Sequence, residues 1–389
     1  MALGLLRRYR EKNEPDLLKH YLSPIPADRM LAKGSSWNPA GEFVEGRHKK
    51  IAVRLSNWIG DAVMNIPALE AVRLNEPEAE IVAITRPWVK DVLSFRPDLV
   101  DRCIAFDDRV GTRHYLSFLG ELREEKFDEG IVFTNHIKGA MLMCFSGIPI
   151  RTGFATTETR LFLNRSLARK DLPLGRHQSE NYLDLVAEAG YSCKQRPAPR
   201  LIHDEAFNHQ LITRFLSDLP RPILAVQAGA SFGTAKRWLQ DRYATVCAKF
   251  IAEHGGSVIL LGTHSEAELN STIAKDAGSR RVLDLTGKTS LRESMGLVSL
   301  ADVFLSNDSG LAHVAAAFKT PQVTVFGPTD KTATAPYSPI AEVLYKPMPC
   351  SPCFHRHCPI GHDCMEAIEV AEVGAALNRA LAIRGVPVP

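Results

Sequence analysis

The chain has 389 residues, of which 45% are hydrophobic and 23% are charged, and it carries a formal net charge of +3. This composition is typical of a globular protein, and at roughly 100–200 residues per domain the length favours two domains. The charge is too small for a dedicated nucleic-acid-binding protein, so we expect no nucleic-acid partner.

Residues 1–48 form an N-terminal extension to which the sequence assigns no role. Its apolar start is only about five residues long and the charges follow it, which argues against a signal peptide. No apolar run reaches the roughly 18 residues that a membrane span needs, so we expect a cytoplasmic protein. The basic residues Arg7, Arg8, Arg10 and Lys12 either rest on an acidic membrane surface or form a solvated helix face.

Strand and helix signals alternate from about residue 50. The predicted strands of the first half are 51–55, 80–85 and 129–134, and the predicted helices are 61–74, 88–95, 115–125, 137–145 and 179–189. This order predicts a parallel sheet with helices on both faces. Residues 150–178 are rich in Arg, Thr and Gly, and their weak strand signals predict irregular structure.

The alternation restarts after the proline-containing segment 194–200. The predicted strands are then 222–227, 257–262, 303–306 and 322–327, and the predicted helices are 239–254, 265–277 and a final helix at 366–384. We therefore predict an α/β protein with two doubly wound, Rossmann-like domains, 49–200 and 201–389, facing a central cleft. Ligands of such folds bind at the carboxyl ends of the strands.

The stretch 305–313 (LSNDSGLAH) follows a predicted buried strand and begins a helix of small residues. Asp308, Ser309 and Gly310 offer a hydroxyl, free backbone N–H groups and room for close approach, a combination that suits a phosphate. The alternative is a plain helix N-cap, which needs no ligand. The turn 56–61 does not match Gly-x-Gly-x-x-Gly, Val282 breaks a Walker-like stretch, and no Gly-x-Ser-x-Gly occurs.

Three blocks of sequence occur together in a characteristic order and spacing. They are 54–69 (RLSNWIGDAVMNIPAL), 227–231 (QAGAS) followed by 236–238 (KRW), and 306–313 (SNDSGLAH) followed by 325–329 (VFGPT). Together they resemble the ADP-heptose:lipopolysaccharide heptosyltransferases of glycosyltransferase family 9. The cysteine-bearing tail at 350–365 resembles the heptosyltransferase II branch of that family.

The resemblance implies a GT-B fold and an inverting glycosyltransferase that needs no cofactor for catalysis. It implies transfer of heptose from ADP-L-glycero-D-manno-heptose to the heptosyl–Kdo–lipid A inner core of lipopolysaccharide. The first domain would bind the acceptor, the second the donor, and the protein would contact the inner face of the inner membrane. Two alternatives stay open: a related glycosyltransferase using another nucleotide sugar, and a non-catalytic nucleotide-sugar-binding protein on the same fold.

Direct displacement at a sugar carbon needs a base for the attacking hydroxyl and a positive charge for the departing diphosphate. The resemblance assigns the base to Asp61, which follows Gly60 at the start of a predicted helix. Lys236 suits the second task because it offers a compact charge after a Gly- and Ser-bearing turn. The alternatives are an ordinary first-turn carboxylate and a surface lysine. Asp61 with Asp308 would also suit a two-carboxylate hydrolase, a reading that the lysine argues against.

The predicted binding residues fall into a donor group and an acceptor group. The donor candidates are Ser231, Asp308, Ser309, Gly310 and His313 for the diphosphate and sugar, and Glu266, Thr286 and Gly287 for the nucleoside. The acceptor candidates are Asn57, Trp58 and Gly60 in the first block and Arg151, Arg160 and Arg165 in the segment 150–178. The alternatives are a packed helix histidine for His313, helix caps for the nucleoside group and a solvated basic loop for the arginines.

Cys350, Cys353, Cys358 and Cys364 crowd into the Cys-rich loop 350–364. Their spacing suits one tetrahedral ion, zinc or an iron–sulfur centre, in a structural role beside the cleft. Reduced thiols and a labile disulfide are the competing interpretations.

Overall fold

The computed structural model describes residues 36–37, 43–44, 48–107 and 111–386. In the predicted extension 1–48, the described residues are the short antiparallel strands β1 (Ser36–Trp37) and β2 (Phe43–Val44), together with residue 48. The basic run from Arg7 to Lys12 lies outside the described residues.

The first sheet has six parallel strands in the order β5-β4-β3-β6-β7-β8. These strands are β3 (Lys50–Arg54), β4 (Glu80–Thr85), β5 (Arg102–Ala105), β6 (Glu129–Val132), β7 (Ile150–Ala155) and β8 (Arg165–Ala168). Helices connect them, namely α1 (Ile59–Asn75), α2 (Lys90–Leu93), α3 (Thr112–Glu124) and α4 (Ile137–Phe145), and α5 (Gln178–Glu188) follows. Ile51, Ala52 and Val53 of β3 are fully buried because helices cover both faces of the sheet.

The second sheet repeats this plan with the order β11-β10-β9-β12-β13-β14. Its strands are β9 (Ile223–Gln227), β10 (Ser257–Leu260), β11 (Val282–Asp284), β12 (Val303–Asn307), β13 (Gln322–Phe326) and β14 (Ala341–Tyr345). The helices of this half are α6 (Glu205–Leu211), α7 (Gln240–His254), α8 (Ala267–Ala277), α9 (Leu291–Leu300), α10 (Gly310–Phe318), α11 (Lys331–Thr334), α12 (Asp363–Glu366) and α13 (Val370–Ile383). Two six-stranded parallel sheets with flanking helices are the predicted doubly wound architecture.

The two halves pack directly against each other. Helix α1 contacts helix α10, and one hydrophobic cluster runs from Val53 in the first sheet to Phe304 in the second. A polar contact adds to this interface, because Nε2–H of His177 donates to the backbone oxygen of Ala335 at 2.8 Å. Both α1 and α10 follow a central strand, so the carboxyl ends of the two sheets meet at this interface.

One local prediction was wrong, and two predicted helices are shorter than expected. Residues 150–178 contain the strands β7 and β8, whose signal is weak because buried polar residues such as Arg151 and Thr152 interrupt the apolar pattern. The predicted final helix at 366–384 is confirmed over most of its length: α13 runs from Val370 to Ile383 after a Glu369 capping box, and the short α12 ends at Glu366 before it. Residues 88–95 form a 3-10 turn and the short helix α2.

Across the described ranges, none of the helices combines the length and the apolar character that crossing a lipid bilayer requires.

Candidate active site between the two sheets

The first turns of α1 and α10 meet at the interface between the sheets. A Cβ on Gly60 would lie 2.6 Å from Cδ2 of His313, and a Cβ on Gly310 would lie 2.9 Å from Cβ of Ile59. Glycine is therefore required at both positions by close approach. Because the N-terminus of a helix carries partial positive charge and unpaired N–H groups, two such ends at one place favour an anion.

Lys236, Asp308 and Thr329 form a compact polar group next to this contact. Nζ of Lys236 donates to Oδ2 of Asp308, and the hydroxyl of Thr329 donates to the same oxygen at 2.6 Å. The Asp308 side chain is 7% exposed and that of Lys236 is 14% exposed, so the ion pair is shielded from water. The structure thus brings Lys236 and Asp308 together, and the carboxylate holds the ammonium group in place.

Ser309 caps helix α10. Its hydroxyl oxygen accepts from the N–H of Ala312 at 3.4 Å, and the hydroxyl donates to Oε1 of Gln227 at 2.7 Å. The N-cap interpretation of this turn is therefore confirmed, while its contact with a diphosphate stays a prediction. Ser231 lies exposed on the turn that leads to Lys236.

The buried Asn307 is a structural residue that the motif analysis did not single out. Its Oδ1 accepts from the backbone N–H of Trp238 and from the hydroxyl of Tyr243, both at 2.9 Å. Its amide group donates to the backbone oxygen of Ala228 at 2.7 Å. Asn307 thereby ties the end of β12 to both ends of the segment that carries Lys236.

Asp61 lies in the first turn of α1, partly buried and directly after the glycine that touches His313. Burial raises the pKa of Tyr182, and the charge of the nearby Asp61 raises it further. The Tyr182 hydroxyl lies 3.2 Å from that of Ser56. Asp61 therefore lies on the turn that packs against His313, and its contact with an acceptor hydroxyl stays a prediction.

His313 is packed inside this interface. Burial lowers its pKa to about 4, and the charges of His177 and Lys236 act in the same direction, whereas Asp308 opposes them. A histidine with this pKa is neutral at pH 7. The structure therefore supports the packed-histidine alternative and leaves donor contact by His313 as a prediction.

The nucleoside candidates come together at the carboxyl ends of β10 and β11. Oε2 of Glu266 accepts from the N–H of Thr263 at 2.8 Å, and these two residues form a capping box. The Thr286 hydroxyl accepts from the Asn270 amide at 2.7 Å, and Gly287 has a φ of +68°. The helix-cap interpretation holds for Glu266, and ribose or base recognition stays a prediction.

A small cationic cavity opens at the carboxyl edge of the first sheet. Its lining residues are Arg54, Asn57, Phe106, Thr134, His136, Lys138, Gly139 and Leu142. Oδ1 of Asn57 accepts from Nη2 of Arg54 at 2.7 Å and orients that guanidinium group. Within the described residues, the buried hydroxyl of Thr134 has no hydrogen-bond partner. Neither Arg54, the first residue of the first sequence block, nor Lys138 was among the predicted acceptor residues, because neither stands in a basic run.

The predicted acceptor residues differ in their surroundings. Trp58 is 51% exposed at the start of α1. Arg151 is 3% exposed, and its guanidinium donates to the backbone oxygens of Phe162 and Ile148 at 2.7 and 2.6 Å, so its contact with the acceptor stays a prediction. Arg160 is exposed in a 3-10 turn, and Arg165 donates to the backbone oxygen of Ala189 at 3.1 Å on the outer strand β8.

The Cys-rich loop gives the predicted metal centre no ligand set. Burial raises the pKa of the Cys364 thiol, with Cys350, Cys358 and Cys353 adding to the rise, so the four cysteines are neighbours. Nevertheless, no group of three or more His, Cys, Asp or Glu side chains in the described part of the chain is arranged to hold a metal ion. The sulfurs lie at different depths, since Cys364 is buried against Gly327 and Cys350 is exposed.

The family profile described as "Glycosyltransferase family 9 (heptosyltransferase)" matches residues 115–363. The chain belongs to glycosyltransferase family 9. The lipopolysaccharide heptosyltransferase 2 of Escherichia coli is 30% identical over 311 residues, which cover 76% of this chain and 87% of the relative. The lipooligosaccharide heptosyltransferase 2 of Haemophilus influenzae is 28% identical, covering 74% and 86% of the two chains.

Among solved structures, ADP-heptose lipopolysaccharide heptosyltransferase II of E. coli is similar to this family 9 protein, with a TM-score of 0.73 and 27% identity. The similarity covers 86% of this chain and 99% of that chain. The GT-B fold and the assignment to the glycosyltransferases are therefore confirmed.

Proposed function

We propose that this glycosyltransferase moves heptose from ADP-L-glycero-D-manno-heptose to the heptosyl–Kdo–lipid A inner core of lipopolysaccharide, with inversion at the anomeric carbon. Residues 49–200 hold the acceptor in this proposal, and residues 201–389 hold the donor. The observation that carries it is the contact of Gly60 with His313, which joins the turn of Asp61 to the Lys236–Asp308 pair.

The reaction is a single displacement in this proposal. The carboxylate of Asp61 takes the proton of the acceptor hydroxyl, whose oxygen forms a bond to the anomeric carbon. The bond from that carbon to the diphosphate oxygen breaks on the opposite face, and ADP leaves with the electron pair. Lys236 and the N–H groups at the start of α10 neutralise the charge that develops on the diphosphate. Transfer proceeds without a catalytic metal because these groups supply the positive charge.

The donor contacts extend this arrangement. Asp308 and His313 lie beside the sugar, while Ser231, Ser309 and Gly310 line the diphosphate path. Glu266, Thr286 and Gly287 form the nucleoside end, at the neighbouring carboxyl ends of β10 and β11. The order of these three groups along one sheet edge supports a single extended nucleotide sugar.

The acceptor binds on the first domain. We assign its anionic groups to the exposed Lys138 of the cationic cavity, where the buried Arg54 contributes positive charge, and an apolar or sugar face to the exposed Trp58. Because the acceptor is a lipid, the protein works in the cytoplasm at the inner face of the inner membrane. The basic run from Arg7 to Lys12 supports that contact.

Release of ADP from ADP-heptose in the presence of acceptor tests the proposal. We expect Asp61→Asn to lower kcat by about 10²- to 10⁴-fold, and Lys236→Met by about 10²- to 10³-fold. The matched controls are Asp241→Asn, an exposed first-turn carboxylate of α7, and Lys249→Met on the same helix. Both should keep wild-type activity, and all four variants should keep the wild-type circular dichroism spectrum.

Two results would contradict the mechanism. A folded Asp61→Asn variant within twofold of the wild-type kcat removes Asp61 as the base. A rate that falls tenfold or more on addition of EDTA, and returns with a divalent cation, contradicts the metal-free displacement.

A further inference from the structure

The Cys-rich loop 350–364 lies directly against the turn that presents Lys236. The backbone N–H of Ala235 donates to the backbone oxygen of Arg356 at 3.0 Å. Nε2–H of His362 donates to the backbone oxygen of Ala235 at 2.8 Å. Both polar groups of Ala235 are therefore held by one loop, and the second bond fixes the peptide plane that leads into Lys236.

The approach of the loop to this turn is close enough to require glycine. A Cβ on Gly233 would lie 2.1 Å from the backbone oxygen of Arg356. Two side-chain contacts flank that point: the Thr234 hydroxyl lies 2.9 Å from Nδ1 of His357, and the Arg356 guanidinium lies 5.2 Å from the ring centre of Phe232. The Lys236 ammonium group lies 5.1 Å from the centre of the same ring.

The same loop also holds the other side of the Lys236–Asp308–Thr329 group. The N–H groups of Cys353 and Phe354 both donate to the backbone oxygen of Pro328, at 3.0 and 2.9 Å. Pro328 directly precedes Thr329, whose hydroxyl donates to Asp308. The loop therefore connects the segment that orients the lysine with the segment that orients its carboxylate partner.

We infer that the Cys-rich loop is the positioning element for Lys236 and that His362 is its main positioning residue. His362 reaches no reacting atom; it acts through the Ala235–Lys236 peptide. Its own backbone has a φ of +66°, which histidine and asparagine tolerate better than most residues, so the loop places this ring at some conformational cost. The hydrogen bonds described above hold the loop against the turn. The inference rests on the proposed role of Lys236 in neutralising the leaving diphosphate.

Two substitutions separate the hydrogen bond from the backbone conformation. In His362→Gln the side-chain amide nitrogen reaches the position of Nε2 and donates to Ala235, although the left-handed backbone suits Gln less well. In His362→Asn the backbone is tolerated, but the amide reaches only the position of Nδ1 and the bond is lost. His355→Ala is the matched control, because this exposed histidine of the same loop makes no described hydrogen bond to the turn.

The assay is steady-state kinetics with ADP-heptose and acceptor varied separately. We expect His362→Ala and His362→Asn to lower kcat by about 5- to 20-fold and to leave the acceptor KM unchanged. A misplaced Lys236 ammonium group stabilises the transition state less, but it does not affect acceptor binding. His362→Gln should recover at least half of the wild-type kcat, and His355→Ala should match the wild type. Melting temperatures within about 3 °C of the wild type identify variants that remain folded.

The outcomes distinguish this inference from the proposed function. If Lys236→Met is inactive while His362→Ala keeps the full kcat, the positioning role is wrong and the reaction mechanism stands. If His362→Asn is as active as His362→Gln, the backbone conformation rather than the hydrogen bond is what matters, and the inference fails. If Lys236→Met keeps full activity, the proposed role of the lysine fails first.

Discussion

The buried His313 gives the sharpest quantitative prediction about this interface. Its ring fills the space left by Gly60 and is 6% exposed, so the folded protein holds it in the neutral form. The perturbation is His313→Gln, which keeps a polar side chain of similar reach and removes the titratable group. The charged and titratable neighbours that act on the ring are Asp308, His177 and Lys236.

The magnitude follows from the pKa of His313, which burial lowers from 6.5 to about 4. Because the pKa of His313 is lower in the folded than in the unfolded protein, the neutral ring contributes fully to the free energy of unfolding above pH 6.5. This contribution is lost as the pH falls towards 4. At about 1.4 kcal/mol per pH unit, the free energy of unfolding differs by roughly 3 kcal/mol between the two ends of this range, and about 2 kcal/mol of it is lost by pH 5.

Urea unfolding at pH 7.5, 6.5, 5.5 and 5.0 (approximate working points across the titration window) measures this loss. The free energy of unfolding of the wild type should fall by about 2 kcal/mol more than that of His313→Gln over this range. His177 is present in both proteins, so its own titration largely cancels. His209→Gln, at an exposed position of α6, is the control and should parallel the wild type.

If the free energies of unfolding of the wild type and His313→Gln differ by the same amount at every pH, the lowered pKa of His313 is refuted. It would mean that the ring is hydrated or charged in the folded protein. The close packing of α1 on α10 would then not be the cause of its neutral state.

Three further predictions test the helix packing and the acceptor side. Gly60→Ala should lower the free energy of unfolding by about 1–3 kcal/mol and reduce kcat, because its Cβ would overlap the His313 ring. The control is Gly374→Ala on the open side of α13, which should raise the free energy of unfolding by up to about 1 kcal/mol. Equal changes in the free energy of unfolding for the two alanine variants, measured with urea, would contradict the close packing at Gly60. Lys138→Ala should raise the acceptor KM about 5- to 20-fold and leave the donor KM unchanged, as expected when one charge-assisted contact is lost. Arg151→Met should instead lower the free energy of unfolding by about 2 kcal/mol and leave the acceptor KM unchanged, and the reverse pattern would support Arg151 as an acceptor residue.

Much of the fold and the centre of the candidate site were predictable from local sequence. The alternation of strand and helix signals defined the parallel sheets, because apolar period and turn residues are local properties. The blocks around Asp61, Lys236 and Asp308 are contiguous stretches at strand-to-helix turns, so their residue types, order and spacing were enough to carry the resemblance that implies a nucleotide-sugar site. The strands β7 and β8 were missed because polar residues such as Arg151 are buried there, and burial of a polar group depends on partners from other segments.

The amino-acid sequence by itself determined the family and the paired α/β architecture, and it named Asp61 and Lys236 as the candidate base and the candidate diphosphate ligand. Only the tertiary structure decided which arginine is buried, which lysine lines a cavity, and what holds Lys236 in place. The bond from His362 to Ala235 joins residues 127 positions apart. Such a contact leaves no periodicity or spacing in the chain, because it arises from how two loops pack after both have folded onto the second sheet.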